Sequence, residues 1–269
     1  MSAVAVVCLV LVTARVPAQQ RDPLQAAAAA LSVTTVATVH LEGFGATYSV
    51  GQTPSPREIW PRVTLKKYEA DIDYATPAMR VSLVREIDAV QPRGGGLPLV
   101  GEQRVTQFVN GAQAWDQAVP APTPAPPPPL PQAQLAAFAE RTQQIWSTPH
   151  GFLKAARLNK AATRAVPQGT EVAFTLEGRR FVGLINPRNE VDRVQTWVHN
   201  PVLGDLLVDT IYRDYERSVA GVVFPMHITQ SRGGYPALDV WVSAVKVNTP
   251  VVMSTPDAVQ DDLAKAAGK

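Results

Sequence analysis

The sequence predicts an α+β fold: a strongly bent antiparallel β-sheet, a half-barrel, with two or three helices on its concave side. Three observations lead there. From residue 170 to 247 short segments alternate apolar and polar side chains, and turn residues such as Glu177-Gly178, Asn186-Pro187 and Gly233-Gly234 separate them. Strands repeated at that spacing argue an antiparallel sheet with one buried face. A second series of such segments precedes residue 110, and between the two lie amphipathic stretches of helical spacing that can cover the buried face.

In chain order, Asp22-Pro23 leads into the alanine-rich stretch 24–31, with proline at the first helical position, so a short helix is expected. Strand segments follow at 36–42, 46–50, 62–74, 79–88 and 104–109. Met79, Val81, Leu83 and Ile87 share one face of their strand, and Arg80, Ser82, Glu86 and Asp88 share the other. That alternation belongs to a half-buried antiparallel strand. Residues 91–101 (QPRGGGLPLVG) form a loop, and 119–131 (VPAPTPAPPPPLP) an extended polyproline spacer on the surface. Residues 132–146 predict an amphipathic helix with Leu135, Phe138, Thr142, Ile145 and Trp146 near one face. Ser147-Thr148-Pro149 caps a second helix, whose apolar side is Phe152, Leu153, Ala156 and Leu158. The later strands fall at 170–176, 180–185, 191–199, 206–215, 222–230 and 238–247. Residues 19–255 thus read as a single β-rich domain. The tail, 256–269, is polar and weakly helical and is expected to be mobile.

Charge is nearly balanced, with 25 Lys and Arg against 23 Asp and Glu, and no basic cluster stands out. A nucleic-acid partner is therefore not expected. Residues 3–12 (AVAVVCLVLV) are too short to span a bilayer and suit the apolar core of a secretory signal. Val16-Pro17-Ala18 supplies small residues for cleavage after Ala18, although no Lys or Arg precedes the apolar run. The expected location is periplasmic or secreted, with no transmembrane anchor. Cys8, the sole cysteine, lies inside this signal, so the mature chain would carry no thiol, disulfide or cysteine metal site.

The motifs that could carry chemistry are weak. His40, His150, His199 and His227 show neither His-x-His nor His-Glu-x-x-His spacing, and structural or surface roles are expected. Ser243-Ala244-Val245-Lys246 matches a Ser-x-x-Lys pattern but lies in a strand, whereas that chemistry needs a helix to bring the two residues together. Asp71 and Asp73 read as carboxylates on a solvated strand face, and Gly94-Gly95-Gly96 lacks the Lys-Ser/Thr of a phosphate loop. No catalytic residue, metal site or cofactor is expected. The remaining candidate is aromatic: Trp197, Tyr212, Phe224, Met226 and Trp241 fall on successive strands. Phe224, Met226 and Ile228 share a face, as do Leu206, Val208 and Tyr212. Lining the inside of a bent sheet, such faces either pack on the helices or leave an apolar cleft.

Four phrases add a resemblance. They are Gly94-Gly95-Gly96 through Gly101-Glu102-Gln103-Arg104, with Gln107-Phe108-Val109-Asn110-Gly111; Thr148-Pro149-His150-Gly151-Phe152-Leu153-Lys154-Ala155-Ala156; Trp197-Val198-His199-Asn200-Pro201-Val202-Leu203-Gly204-Asp205; and Pro236-Ala237-Leu238-Asp239-Val240. Over about residues 25–256 the chain resembles the N-terminal extension of long exported bacterial metallo-β-lactamase-fold hydrolases. The resemblance implies a following hydrolase domain with a His-x-His-x-Asp-His zinc motif. This sequence contains no such motif, so no catalytic or metal residue carries over. The architecture is also similar to that of periplasmic lipoprotein carriers, an analogy of fold alone. The function expected is a non-catalytic exported domain that binds an apolar small molecule or lipid, or a protein partner. The alternative is the accessory domain of a metallo-β-lactamase-fold zinc hydrolase whose catalytic part is missing or separately encoded.

Overall fold

The computed structural model describes residues 22–49, 58, 60–87, 101–119, 130–200, 204–217 and 221–267. Cys8, the expected cleavage point after Ala18, the Gly94-Gly95-Gly96 loop and residues 120–129 of the proline-rich segment lie outside them.

Among the described residues, thirteen strands make one antiparallel sheet that curves without closing. They are β1 (Thr38–Tyr48), β2 (Arg62–Asp73), β3 (Ala78–Ile87), β4 (Glu102–Asn110), β5 (Gln113–Ala118), β6 (Gln132–Ala133), β7 (Ala162–Val166), β8 (Gly169–Leu176), β9 (Arg179–Ile185), β10 (Val191–Asn200), β11 (Gly204–Arg217), β12 (Val223–Arg232) and β13 (Tyr235–Val247). Their spatial order is β6-β5-β4-β3-β2-β1-β13-β12-β11-β10-β9-β8-β7. The first and last strands pair in the middle, Leu41 opposite Val245 and Phe44 opposite Trp241. Strands β6 and β7, consecutive in the chain, are therefore the two outer edges. The chain joining them must cross the width of the sheet. It does so as α2 (Phe138–Ser147) and α3 (Pro149–Leu158), which pack over the concave face.

Local chemistry sets these helices. Thr148 caps α3, its Oγ1 accepting from the Gly151 amide at 3.2 Å, with Pro149 in the first turn. Asp22 caps α1 (Pro23–Ala30) in the same way, accepting from the Leu24 amide at 3.1 Å. Two apolar clusters lie beneath the helices. One joins Leu41, Leu65, Ile72, Met79, Val81 and Leu83 to Ile145, Phe224 and Val240. The other joins Leu24 and Leu31 to Phe152, Leu153, Phe174, Phe181, Val194 and Tyr212. Each fully buried large side chain stabilises by about 1.5–3 kcal/mol, which holds both helices against the sheet.

Several elements differ from the sequence reading. Segments 36–42 and 46–50 are one strand, β1, irregular at Gly43 and Gly45. A Cβ on Gly45 would come within 2.0 Å of the Asp239 carbonyl oxygen, so only glycine allows this close pairing. Strand β5 breaks alternation because Ala114 and Trp115, successive residues on opposite faces, are both buried. Strand β7 is an edge with almost wholly exposed side chains, hence without apolar periodicity. The helix expected from residue 132 starts at Phe138. Gln132 and Ala133 instead pair with Asp116 and Trp115, and a 3-10 turn over Leu135–Ala137 follows. Leu135 and Leu158, expected on the apolar faces, are exposed. In the tail, residues Asp257–Ala267 form α4, which packs on β6 and buries Val259.

Candidate ligand cavity

The concave face is not filled by its helices. Between the sheet and the α2–α3 joint lies a cavity of about 290 Å³, close to the lower end of the ~300–1,000 Å³ of small-molecule sites. Its floor is Leu41, Ala70, Ile72, Met79, Val81 and Leu83, with Phe224 and Ile228 on the far wall. Gln144, Ser147, Thr148 and Pro149 form the roof. Strand alternation delivers these residues: Met79, Val81 and Leu83 are every second residue of β3, and Phe224 and Ile228 keep the same phase on β12.

The roof is pinned by polar bonds. The Tyr212 hydroxyl donates to the Ser147 carbonyl at 2.6 Å, closing the C-terminus of α2. The Tyr74 and Thr148 hydroxyls share a hydrogen bond of 2.9 Å. Burial raises the Tyr212 phenol far above its ordinary pKa and takes Tyr68, which lines the cavity, to about 12, so both hydroxyls remain protonated. His150, fully buried in α3, lies on Phe224 with ring centroids 5.7 Å apart. Its Nε2 is 3.0 Å from the Leu31 carbonyl, which makes Nε2–H the donor of a neutral ring. Burial lowers its pKa to about 4, more than the Leu31 bond raises it.

The five aromatic and thioether candidates divide between the two faces. Tyr212 and Phe224 line the cavity, and Met226 packs on the same apolar cluster. Trp241 points the other way: its neighbours Val240 and Val242 are buried, while it is 45% exposed and stacked on His227 at 3.8 Å. Trp197 likewise turns away from the buried Thr196, under the Arg180 guanidinium at 5.1 Å. It borders a separate cleft of about 630 Å³ with Glu140, Gln143, Arg179, His199 and Asp205.

Sequence reasoning missed the polar members of the cavity. Arg85, Gln107, Gln230 and Arg232 line it, and the signal was present. Arg85 continues the series Met79, Val81, Leu83, and Arg232 continues Phe224, Met226, Ile228, Gln230, so both cations stand in phase with an apolar face. Arg85 Nη2 donates to Gln103 Oε1 at 3.2 Å, and burial lowers the guanidinium pKa. Arg232 is ion-paired with Glu140. The Nε atoms of both arginines are buried and have no hydrogen-bond partner.

Histidine–carboxylate pairs arise by strand pairing that spacing alone does not show. His40 Nδ1 is 2.8 Å from Asp71, whose other oxygen accepts from Arg80 Nε at 2.9 Å and Nη2 at 2.7 Å. Asp71 is therefore buried and paired rather than solvated, whereas Asp73 caps a turn by accepting from the Ala75 and Thr76 amides. Burial depresses the His40 pKa, but its bonds to Asp71 and Glu42 outweigh this and leave it above the ordinary value. His227 Nε2 lies 2.8 Å from Asp239. Among the described residues, no three His, Cys, Asp or Glu side chains converge as a metal-binding set, and no helix is long and apolar enough to cross a membrane.

No protein-family model matches the chain, and no curated protein matches it significantly in sequence.

Proposed function

We propose that this chain is a non-catalytic binding domain that holds an apolar ligand between its concave sheet and the α2–α3 roof. One observation carries the reading: an apolar floor from Leu41 to Leu83, which Ile145 of α2 covers only in part, also borders a cavity of about 290 Å³. Protein interiors are otherwise close-packed, and a void of this size forfeits dispersion contacts that a ligand would restore. The signal-like residues 3–12 and the small residues before Ala18 support an exported, periplasmic or secreted protein.

The test is to fill the cavity. Ala70 lines the floor and is buried, so Ala70→Phe projects a ring into the space. Titration of the purified full chain with the neutral fluorophore N-phenyl-1-naphthylamine should show saturable binding at one site. Ala70→Phe should abolish it while the protein stays folded by circular dichroism. Unchanged dye binding by a folded Ala70→Phe protein would sink the reading.

A second reading, a surface for a protein partner, is favoured by the outer face. Phe44 and Trp241, 54% and 45% exposed, are opposed across β1 and β13 at the centre of the sheet. An exposed aromatic pair of this kind is a common anchor of protein interfaces. The partner that the sequence resemblance suggests is a metallo-β-lactamase-fold hydrolase domain. Such a domain encoded immediately downstream, whose association Trp241→Ser abolishes, would support this reading, and association unchanged by that substitution would remove it.

A further inference from the structure

We propose that the cavity selects a single-chain amphiphile with a small anionic oxygen head, the chain lying along the strands and the head at Arg85. This rests on the reading of the cavity as an apolar ligand site and adds the chemistry of the ligand's polar end.

The cavity is polarised along the strands. In β3 the inward series runs Met79, Val81, Leu83, Arg85, and in β12 it runs Phe224, Met226, Ile228, Gln230, Arg232. The two strands are four places apart in an all-antiparallel sheet, so they run in the same direction. Both series therefore pass from apolar to cationic toward the same end of the cavity. At about 3.3 Å per residue, the six-residue advance from Met79 to Arg85 spans roughly 20 Å. Among the described residues, those of the sheet that line the far end, where Ile72 pairs with Met79, are apolar.

The charge of the lining points to the head group. Among the described residues, two guanidiniums line the cavity and no Asp or Glu does. Arg232 is already neutralised by Glu140. Asp116, the acid that acts electrostatically on Arg85, is bound by Arg141 at 2.6 Å. Among the described residues no carboxylate lies within ion-pair distance of Arg85, whose one hydrogen bond goes to neutral Gln103 and whose Nε is a buried donor without an acceptor. A half-buried cation whose Nε is a buried, unused donor is costly until an anion accepts from it. Carboxylate and phosphate oxygens both answer that need, and the apolar floor requires that the anion carry a chain. The cavity's size limits it to one.

The experiment compares ligands of equal chain length by calorimetry on the full chain: dodecanoate, dodecyl phosphate and neutral dodecanol. An anionic head that receives charge-assisted hydrogen bonds should bind about tenfold or more tighter than the alcohol. The better of the two anions identifies the head as carboxylate or phosphate. Arg85→Met keeps an apolar stem of similar length and should remove the preference while leaving dodecanol binding within a few-fold. Equal binding of acid and alcohol by the unaltered protein would overturn the head-group inference and leave the apolar site standing. Binding of none of the three would remove both. A folded Arg85→Met protein that retains the preference for the anion would also overturn the assignment to Arg85.

Discussion

The ring of Phe152 occupies the space where Gly183 has no side chain: a Cβ on Gly183 would lie 2.3 Å from Phe152 Cζ and 2.5 Å from Cε1. Helix α3 can approach β9 only because residue 183 ends at its backbone. Phe152 then fills the hollow, fully buried and 5.3 Å from the ring of Phe174.

Gly183→Ala should therefore destabilise the protein by about 1–3 kcal/mol through overpacking. Phe152→Leu in the same chain should recover part of that loss, because the methyl clashes with the far end of the ring. Urea denaturation of the single and double variants measures the coupling. A Gly183→Ala change without effect would mean that α3 moves freely over the sheet.

Arg141 fastens α2 to the sheet by donating to the Phe108 carbonyl at 3.0 Å, the Trp115 carbonyl at 2.9 Å and Asp116 at 2.6 Å. It is buried, so Arg141→Met strands an acid and two strand carbonyls. The expected cost is about 3–5 kcal/mol. Adding Asp116→Asn should restore part of it in the same denaturation assay.

The buried neutral His150 predicts a pH dependence. Its pKa is about 4 in the folded protein and near 6.5 in the unfolded chain, so the unfolded state binds more protons between those values. The His150 contribution is complete above about pH 6.5 and is lost as pH falls toward 4. The maximal effect is on the order of 3 kcal/mol. His150→Gln should unfold with a shallower dependence over that window than the unaltered protein, and identical slopes would contradict the assignment.

Phe224 and Trp241, on opposite faces, should respond differently to truncation. Phe224→Ala removes a buried ring from the cavity wall and should cost about 3–5 kcal/mol as well as weakening ligand binding. Trp241→Ala acts on the exposed face and should leave cavity binding unchanged. Dye titration of both variants, read beside their melting temperatures, separates the two faces.

Export and processing predict a new N-terminus. If the signal is cut after Ala18, the protein recovered from its host begins at Gln19, which intact mass and N-terminal sequencing would show. A chain still carrying Met1 would count against this.

Much of the fold was legible in local pattern. Alternation at Met79, Val81 and Leu83 marked β3, and Thr148-Pro149 marked the start of α3 with its cap in place. Strand β7 was not legible, because an edge strand with solvated side chains leaves no hydrophobic period. The start of α2 is not legible either, because residues 132 and 133 are drawn into pairing with β5, a contact that helical periodicity does not encode. Tyr212 and Phe224 line the cavity, and their apolar character marks them in the sequence. Arg85 and Arg232 are not legible as lining residues, because in a sequence a cation in phase with an apolar face is indistinguishable from the end of that face.

By itself the sequence determined which residues share a strand face, where α1 and α3 are capped, and that the architecture is a helix-covered antiparallel sheet. These follow from backbone periodicity and from side chains that bond within a few residues. Only the tertiary structure decided that β1 and β13 close the middle of the sheet, that the β6–β7 crossing carries the helices over the concave face, and that a polarised cavity remains beneath them. Those outcomes depend on contacts between segments far apart in the chain and on how completely the helices fill the curve, which no local spacing encodes.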